Sequence, residues 1–156
     1  MIGKTGKNIS KEEALEYVAG YTPSNDVSAR TWQRDPGYAG VVPQWCFAKG
    51  FDKFAPIGPM LVSPSIVEAA DTLRLQTIIN GEVRQDSNTS DLLFNVPSLI
   101  SFLSQGATLE QGTVIMTGTP AGVAMGMKEP KWLKNGDIME VRIENLGSCI
   151  NKIVYE

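Results

Sequence analysis

The stretch that decides the fold is residues 73–85, which read Leu-Arg-Leu-Gln-Thr-Ile-Ile-Asn-Gly-Glu-Val-Arg-Gln. From Leu73 to Ile79, apolar residues and one threonine occupy the odd positions, which is the period-2 pattern of a strand with one buried face. Both residues of the following pair, Asn80-Gly81, tolerate the positive φ that a type I′ turn requires. The pattern therefore predicts a β-hairpin over residues 72–85.

Two helices are predicted from capping signals and apolar spacing. Ser10 and Glu13 form a capping box, in which each side chain satisfies the free backbone amide of the other residue. Apolar residues at helical spacing follow, and Gly20 is predicted to end this helix. Residues 96–103 carry apolar side chains at helical spacing behind Pro97, a favoured first-turn residue.

The remaining segments predict short strands and one long loop. Residues 112–116 are a short β-rich run, residues 138–143 alternate as a strand does, and Gly147 turns the chain into a last strand over 149–155. Residues 31–58 hold glycine, proline and aromatic residues without a period, which predicts a long irregular loop. Loops of that length are uncommon in compact domains unless they are functional. The sum is a mixed domain with more strand than helix.

Composition limits the class of protein and its partners. The 156 residues fit one domain, and 42% hydrophobic with 20% charged residues is ordinary for a globular protein. A net charge of −3 without a basic stripe disfavours nucleic acid as a partner. The longest apolar runs fall short of the roughly 20 residues of a membrane span, and the start has no signal-peptide pattern, so no membrane association is predicted.

The two cysteines, Cys46 and Cys149, are far apart in the sequence and outside any Cys-x-x-Cys spacing. Isolated thiols of this kind are usually buried small hydrophobes. A catalytic cysteine normally uses a histidine base, and the chain contains no histidine. This usage predicts an intracellular, reducing compartment, either cytoplasmic or mitochondrial.

Four polar residues could carry chemistry, and each also has an ordinary structural interpretation. Asp26 could bind a metal ion or cap a turn, and Arg30 could bind an anion or pair with Asp26 on the surface. Lys49 lies among aromatic residues that suit a partly dry pocket, but it could equally be a solvated loop lysine. Thr119 belongs to Thr-Gly-Thr-Pro, where glycine lets backbone amides approach a ligand.

The order of several motifs resembles the fumarylacetoacetate hydrolase superfamily over nearly the whole chain. The resemblance is greatest to the branch that holds acylpyruvate hydrolases, oxaloacetate decarboxylases and mitochondrial oxaloacetate tautomerases. It implies a mixed α+β, mainly β fold of the β-roll or sandwich type with a few short helices, in one catalytic domain over residues 1–156. The motifs are Ile2-Gly3-Lys4, Val18-Ala19-Gly20-Tyr21-Thr22, Asn25-Asp26-Val27-Ser28-Ala29-Arg30, Ala48-Lys49-Gly50-Phe51-Asp52, Pro56-Ile57-Gly58-Pro59, Asn80-Gly81-Glu82-Val83-Arg84-Gln85 and Thr117-Gly118-Thr119-Pro120-Ala121-Gly122-Val123.

The resemblance assigns roles to five residues. It implies that Asp26 is one of three carboxylates that hold Mg²⁺, with Mn²⁺ or Ca²⁺ as alternatives. Arg30 and Gln33 line the substrate pocket in this resemblance, and Thr119 helps to hold a substrate carboxylate. Lys49 is implied as the catalytic residue, a fixed positive charge near the oxygens on which an enolate develops.

The resemblance also implies parts that these residues do not include. In the family a Glu-x-Glu pair of metal ligands runs directly into the Ile-Gly-Lys motif, whereas here Met1 precedes Ile2. The family's lid with a catalytic His and Glu lies further upstream. The chain is therefore expected to lack that strand and lid.

Two hypotheses of different class follow from this. The first is a metal-dependent hydrolase, tautomerase or decarboxylase that acts on a small 2-oxo or 1,3-dicarbonyl acid such as oxaloacetate, as a homodimer. The second is a truncated, non-catalytic member that keeps the fold and the dimer surface and binds carboxylate ligands.

Overall fold

The computed structural model describes residues 1–67 and 69–155. Six strands, five short helices and three single 3-10 turns make up the described elements, which confirms a mixed fold with β-sheets and few short helices. In chain order they are β1 (Gly6–Lys7), a 3-10 turn (Ala14–Tyr17), α1 (Arg30–Arg34), α2 (Pro36–Ala39), α3 (Trp45–Lys49), α4 (Pro64–Val67), β2 (Arg74–Ile79), β3 (Glu82–Asn88), a 3-10 turn (Thr89–Asp91), α5 (Val96–Leu103), β4 (Thr108–Leu109), a 3-10 turn (Ala124–Gly126), β5 (Ile138–Ile143) and β6 (Gly147–Lys152).

The predicted hairpin is confirmed and forms half of a four-stranded antiparallel sheet with the order β3-β2-β5-β6. Asn80 and Gly81 have φ of 50° and 83°, as a type I′ turn requires. The Asn80 side chain also fixes the neighbouring strand, since its Oδ1 accepts from the Ile138 amide at 2.9 Å and its Nδ2 donates to Asp137 at 2.8 Å. The turn residue therefore joins the hairpin to β5.

The two faces of this sheet differ in polarity. On the inner face Thr77 pairs with Val141 and Ile79 with Met139, and all but Thr77 are buried. The outer face carries ion pairs, of which one joins Arg74 on β2 to Asp86 on β3 at 2.6 Å. The period-2 pattern of β2 thus separates an apolar side from a solvated side.

A second apolar cluster lies away from the sheet. It is formed by Ile2, Ile9, Ala14 and Ile100, with Ile115 packed against it. It joins the start of the chain to α5 and to the segment that follows the β1–β4 pair.

The predictions beyond the hairpin were confirmed in part. The helix over 96–103 and the strand over 138–143 are present with the predicted bounds, and the last strand lies at 147–152 rather than 149–155. The run 112–116 is not assigned as a strand: Gly112 and Thr113 exchange backbone hydrogen bonds with Ile2, whereas the backbone of residues 114–116 has no partner within residues 1–67 and 69–155.

Two predictions about helices were wrong. Half of the capping box is present, since Ser10 Oγ accepts from the Glu13 amide at 3.3 Å and donates to the Glu13 carboxylate at 2.8 Å, but only one 3-10 turn follows. That turn ends because Val18 becomes extended and pairs with Ile2. Residues 31–58 are not an irregular loop, since they contain α1, α2 and α3.

The cysteines occupy different environments. Cys149 is buried on β6, and burial raises the pKa of its thiol. Cys46 is exposed on α3, so the prediction of two buried thiols was wrong for this residue. No helix in the described part of the chain is long and apolar enough to cross a membrane.

Candidate functional site

The first part of the candidate site is a lysine held between a carboxylate and a hydroxyl. Lys49 Nζ donates to Asp26 Oδ2 at 2.5 Å and to Ser28 Oγ at 2.8 Å. The backbone brings these residues together, because the Ala29 amide donates to the Ala48 carbonyl at 2.9 Å. The Lys49 side chain retains 27% exposure and that of Asp26 46%, so the ammonium is fixed in position yet open to a solute.

Arg30 and Gln33 form the second part, on α1. Arg30 Nη1 donates to Gln33 Oε1 at 2.5 Å, and Gln33 is completely buried. Gln33 Nε2 is buried and has no hydrogen-bond partner among residues 1–67 and 69–155. An unpaired buried donor costs about 1–3 kcal/mol. Because Gln33 is completely buried, an acceptor would reach this amide only if the neighbouring side chains move.

Thr119 forms the third part, together with a residue that the sequence reasoning did not name as a site residue. Gln85 Nε2 donates to Thr119 Oγ1 at 2.8 Å and to the Pro120 carbonyl at 2.9 Å. The side-chain oxygen Oε1 of Gln85 accepts from Thr77 Oγ1 at 2.6 Å. Because Thr119 Oγ1 already accepts a hydrogen bond, its hydroxyl hydrogen is available to an anionic ligand. The sequence could have indicated Gln85 only through the hairpin register, which pairs it with Thr77 on the inner face of the sheet.

Gly122 fixes the path of the chain beyond Thr119. Its φ is 108°, and a Cβ at this position would overlap the carbonyl oxygen of Arg84 on the hairpin. The residues before it form one wall of a groove of about 240 Å³, whose other walls are residues 87–89 and 91–94 with Leu75 and Leu99. The close crossing at Gly122 therefore positions Thr119 at the edge of this groove.

One contact connects the parts of the site. The Nδ2 of Asn25, the residue before Asp26, lies against the sulfur of Met139. Met139 lies on the inner face of the sheet, the face on which Thr77 pairs with Gln85. The segment that carries Asp26 is therefore attached to the sheet face that holds Thr119.

An aromatic surface surrounds Lys49. Trp45 lies under the lysine, with Nζ 5.7 Å from its ring centroid, and Trp32 packs against Phe47 and Phe51 at 5.4 and 5.6 Å. Trp45 and Phe47 are 54% and 60% exposed, so of the two interpretations of Lys49 this open surface favours the solvated lysine over the partly dry pocket.

The fit of a divalent metal ion to these residues is incomplete. Within the described ranges no group of three or more His, Cys, Asp or Glu side chains converges as a metal site does. Asp26 supplies one carboxylate, and Lys49 already donates to one of its oxygens. Mg²⁺ gives up its water molecules only where several oxygen ligands converge. The residues present therefore do not form a complete metal site.

Comparison with known families assigns the chain. The family described as fumarylacetoacetate (FAA) hydrolase, C-terminal, matches residues 1–154. The chain belongs to the FAA hydrolase family. Among curated relatives, the mitochondrial oxaloacetate tautomerase Fahd2a of Rattus norvegicus is 44% identical over 154 residues, and the oxaloacetate tautomerase YisK of Bacillus subtilis is 42% identical over 153.

Solved structures of FAA hydrolase proteins share the fold. The fumarylacetoacetate hydrolase of Exiguobacterium antarcticum superposes with a TM-score of 0.91 at 40% identity, over 100% of this chain and 54% of that chain. A fumarylpyruvate hydrolase of Pseudomonas aeruginosa, in complex with Mn²⁺ and pyruvate, gives a TM-score of 0.85 at 33% identity, over 99% and 62%. The two curated relatives are covered over 48% and 49% of their lengths and this chain over 99% and 98%, so it spans about half of them.

Proposed function

We propose that the chain forms the substrate-binding part of an FAA hydrolase family enzyme that acts on small 2-oxo or 1,3-dicarbonyl acids, with oxaloacetate as the first candidate. The observation that carries the proposal is the position of Lys49, held by Asp26 and Ser28 on the segment that leads into Arg30. The names of the relatives support it, because two are oxaloacetate tautomerases and one was solved with pyruvate, a 2-oxo acid.

The roles of the residues follow from the chemistry of a 2-oxo acid. Its carboxylate would accept hydrogen bonds from the Arg30 guanidinium and the unpaired Gln33 amide. Its ketone oxygen gains negative charge when the neighbouring carbon loses a proton, and the Lys49 ammonium would stabilise that enolate. Tautomerisation, decarboxylation and carbon–carbon hydrolysis share the enolate, so these residues support the reaction class and leave its final step open.

Thr119 would bind the second carboxylate of a dicarboxylic substrate. Gln85 fixes the threonine oxygen, which leaves the hydroxyl hydrogen to point at an anion. Oxaloacetate has a carboxylate at each end; Arg30 with Gln33 would hold one, and the Thr119 hydroxyl, oriented by Gln85, would hold the other.

The divalent ion, Mg²⁺ or alternatively Mn²⁺ or Ca²⁺, stays a prediction for this chain. Its support is the Asp26 carboxylate and the Mn²⁺ described in the Pseudomonas aeruginosa relative. No step is assigned to it, because the described residues offer one site carboxylate.

The test follows the enol absorbance of oxaloacetate with Mg²⁺ and with EDTA. We expect decay above the uncatalysed rate with Mg²⁺, and a loss of about 10²-fold or more in Lys49→Ala. Lys131→Ala is the matched control, since that ammonium pairs with Glu82 on β3 instead. Equal rates with Mg²⁺ and EDTA, both at the uncatalysed level, would refute an enzymatic role for this chain.

Binding of carboxylate ligands without turnover is the second candidate. The single carboxylate at the metal position favours it, whereas the donors of Arg30 and Gln33 remain in place. Titration calorimetry with pyruvate tests this role: binding that Arg30→Ala abolishes, in protein without turnover, would support it. Absence of any heat of binding would contradict it.

A homodimer is proposed as the assembly, through the aromatic surface of Trp32, Trp45, Phe47 and Phe51. The chain exposes 9911 Å², whereas a compact monomer of 16.9 kDa would expose about 7,700 Å². Light scattering should give twice the chain mass, and Phe47→Ser should shift the equilibrium to monomer. A wild-type protein that stays monomeric at high concentration would refute the dimer.

An intracellular location, cytoplasmic or mitochondrial, is also proposed. It is supported by the mitochondrial relative and the Bacillus subtilis relative. Fractionation of cells that express the tagged chain would test it, and recovery from the medium would contradict it.

A further inference from the structure

One inner-face position of the hairpin is polar. The odd positions from 73 to 79 are leucine, leucine, threonine and isoleucine, and the threonine, Thr77, is half-buried. Its hydroxyl donates to Oε1 of Gln85 at 2.6 Å, so this partly buried polar group is satisfied. A valine of nearly the same shape would fill the space equally well, but it would leave the Gln85 oxygen without this donor.

A β-bulge in β3 brings Gln85 to the same face as Thr77. Ile78 pairs with Val83, and the next pair along the hairpin is Thr77 with Gln85. Arg84 is therefore the extra residue of the bulge. Without it, position 85 would pair with an outer-face residue of β2, because a slip of one residue turns each side chain to the other face.

The same bulge lies where the chain returns after Thr119. The Arg84 carbonyl is the group that a Cβ on Gly122 would overlap, so the returning chain crosses β3 at the bulge. Gln85 follows directly and donates to Thr119 Oγ1 at 2.8 Å and to the Pro120 carbonyl at 2.9 Å. The hairpin register and the path of the returning chain therefore meet at the Gln85 side chain.

The direction of these hydrogen bonds is set from one end to the other. The Pro120 carbonyl can only accept, so the Gln85 amide nitrogen has to face it. The second hydrogen of this nitrogen is donated to Thr119, and Oε1 is left facing Thr77, which donates. Thr119 is exposed, and its oxygen is occupied by the Gln85 donor, so its own hydrogen points to a ligand.

We propose that Thr77 is a positioning residue that acts through Gln85 and makes Thr119 a hydrogen-bond donor, so that this end of the site selects a carboxylate over a carboxamide of the same shape. This role rests on the proposed function, in which Thr119 binds the second carboxylate of a dicarboxylic substrate. A hydroxyl that donates to a carboxylate makes a charge-assisted bond, about twice as strong as the bond to a neutral amide.

The Thr77 hydroxyl is needed because the Gln85 oxygen is half-buried. An acceptor that loses its donor in such a place is costly, and the amide lowers that cost by turning its oxygen toward water. The nitrogen then leaves Thr119 as well. The Thr119 hydroxyl is no longer held with its hydrogen toward the ligand, and the preference for a carboxylate is lost.

The first measurement compares two stable ligands, malate and its 4-carboxamide, which differ only in the group at the Thr119 end. Titration calorimetry of the wild-type chain should give at least about tenfold tighter binding of malate. Thr77→Val should reduce this ratio to below about threefold, and Thr77→Ser, which keeps the hydroxyl, should restore it. The matched control is Thr72→Val, which removes a hydroxyl that donates to the Ala69 carbonyl and should leave the ratio as in wild type.

The second measurement follows the Gln85 side chain directly by NMR. Exchange of its two amide hydrogens with water should be slow in wild type and Thr77→Ser, and at least about tenfold faster in Thr77→Val. A double-mutant cycle adds Gln85→Met, a side chain of similar shape without the amide. In that background Thr77→Val should have no further effect on the ligand ratio, because the two residues act in one chain of hydrogen bonds.

The outcomes separate this role from the proposed function. If wild type prefers malate but Thr77→Val keeps both the ratio and the slow exchange, the role of Thr77 is refuted and the carboxylate site stands. Additive effects of Thr77→Val and Gln85→Met would also refute it, since Thr77 would then act by another route. If wild type shows no preference for malate, the binding of a second carboxylate by Thr119 is itself wrong, and the selection proposed here is overturned with it.

Discussion

The four-stranded sheet and two segments outside it, residues 20–24 and 114–118, differ in how they satisfy their backbone hydrogen bonds. In the sheet each strand has a partner, and the outer face adds ion pairs such as Arg74–Asp86. By contrast, several backbone groups of residues 20–24 and all those of residues 114–118 have no hydrogen-bond partner within residues 1–67 and 69–155. The comparison indicates that the sheet provides most of the stability of the chain, whereas residues 20–24 and 114–118 are the segments free to bind a ligand or a partner.

The largest expected effect tests the sheet at its closest crossing. In Gly122→Ala the Cβ would overlap the Arg84 carbonyl and the backbone would keep a positive φ, so we expect a loss of about 4 kcal/mol in the free energy of unfolding. Gly106→Ala is the control, because φ is 69° with open space, and it should cost about 1–2 kcal/mol. Urea titration measures both, and equal losses would show that the crossing is not rigid.

The second prediction compares a buried and an exposed side chain. Met139→Ala removes a side chain with 4% exposure from the inner face and should cost about 3 kcal/mol. Trp45→Ala, which removes a larger but 54% exposed side chain, should change the stability of the monomer by less than about 0.5 kcal/mol. A larger loss in Trp45→Ala, measured at a dilution at which the chain is monomeric, would show that the exposed aromatic surface also contributes to the stability of the monomer.

The third prediction concerns acid. Hydrogen bonds from Ser148 and then Arg142 lower the pKa of Glu140 below its ordinary 4.5. A carboxylate with a lowered folded-state pKa stabilises the fold above its unfolded pKa, and this contribution is lost as pH falls through the folded value. Glu140→Gln should therefore flatten the decrease of stability below pH 4.5, as followed by urea midpoints.

The control for the pH dependence of Glu140→Gln is a substitution of a carboxylate outside the sheet. Glu110→Gln should leave the pH dependence of the urea midpoint as it is in wild type. If Glu140→Gln and Glu110→Gln behaved alike, the outer face would not contribute to acid sensitivity.

The smallest effect concerns the thiols. Cys46 is exposed, whereas Cys149 is buried and has a raised pKa. A thiol reagent at pH 8 should therefore modify one thiol per native chain quickly and the second only in urea. Cys46→Ser should remove the fast reaction. If the fast reaction persisted, Cys149 would be accessible to the reagent, and β6 would not cover its thiol as described.

The parts of the fold that could be predicted are those with local causes. The Asn80-Gly81 turn, the helix behind Pro97 and the alternation of residues 138–143 each specify their structure within a few residues. The three helices in residues 31–58 could not be predicted, because they depend on distant pairings. One such pairing joins the residue before α1 to α3, with the Ala29 amide donating to the Ala48 carbonyl at 2.9 Å.

The site was predictable mainly through the resemblance. Asp26 and Lys49 are 23 residues apart, and nothing in their spacing indicates the ion pair that joins them. Gln85 requires the hairpin register and the return of residues 117–122 before its contact with Thr119 becomes visible. Distances across the fold, unlike turns, are not set by neighbouring residues.

The crossing at Gly122 has a practical consequence for anyone who wishes to alter substrate preference by randomising the segment around Thr119. Codon 122 has to be kept as glycine in such a library, since most members with another residue there would be lost to misfolding before selection. Gly118, where an added Cβ meets open space at a φ of 126°, can be varied at the cost of backbone strain alone. The usable diversity of this segment therefore lies before the crossing and not across it.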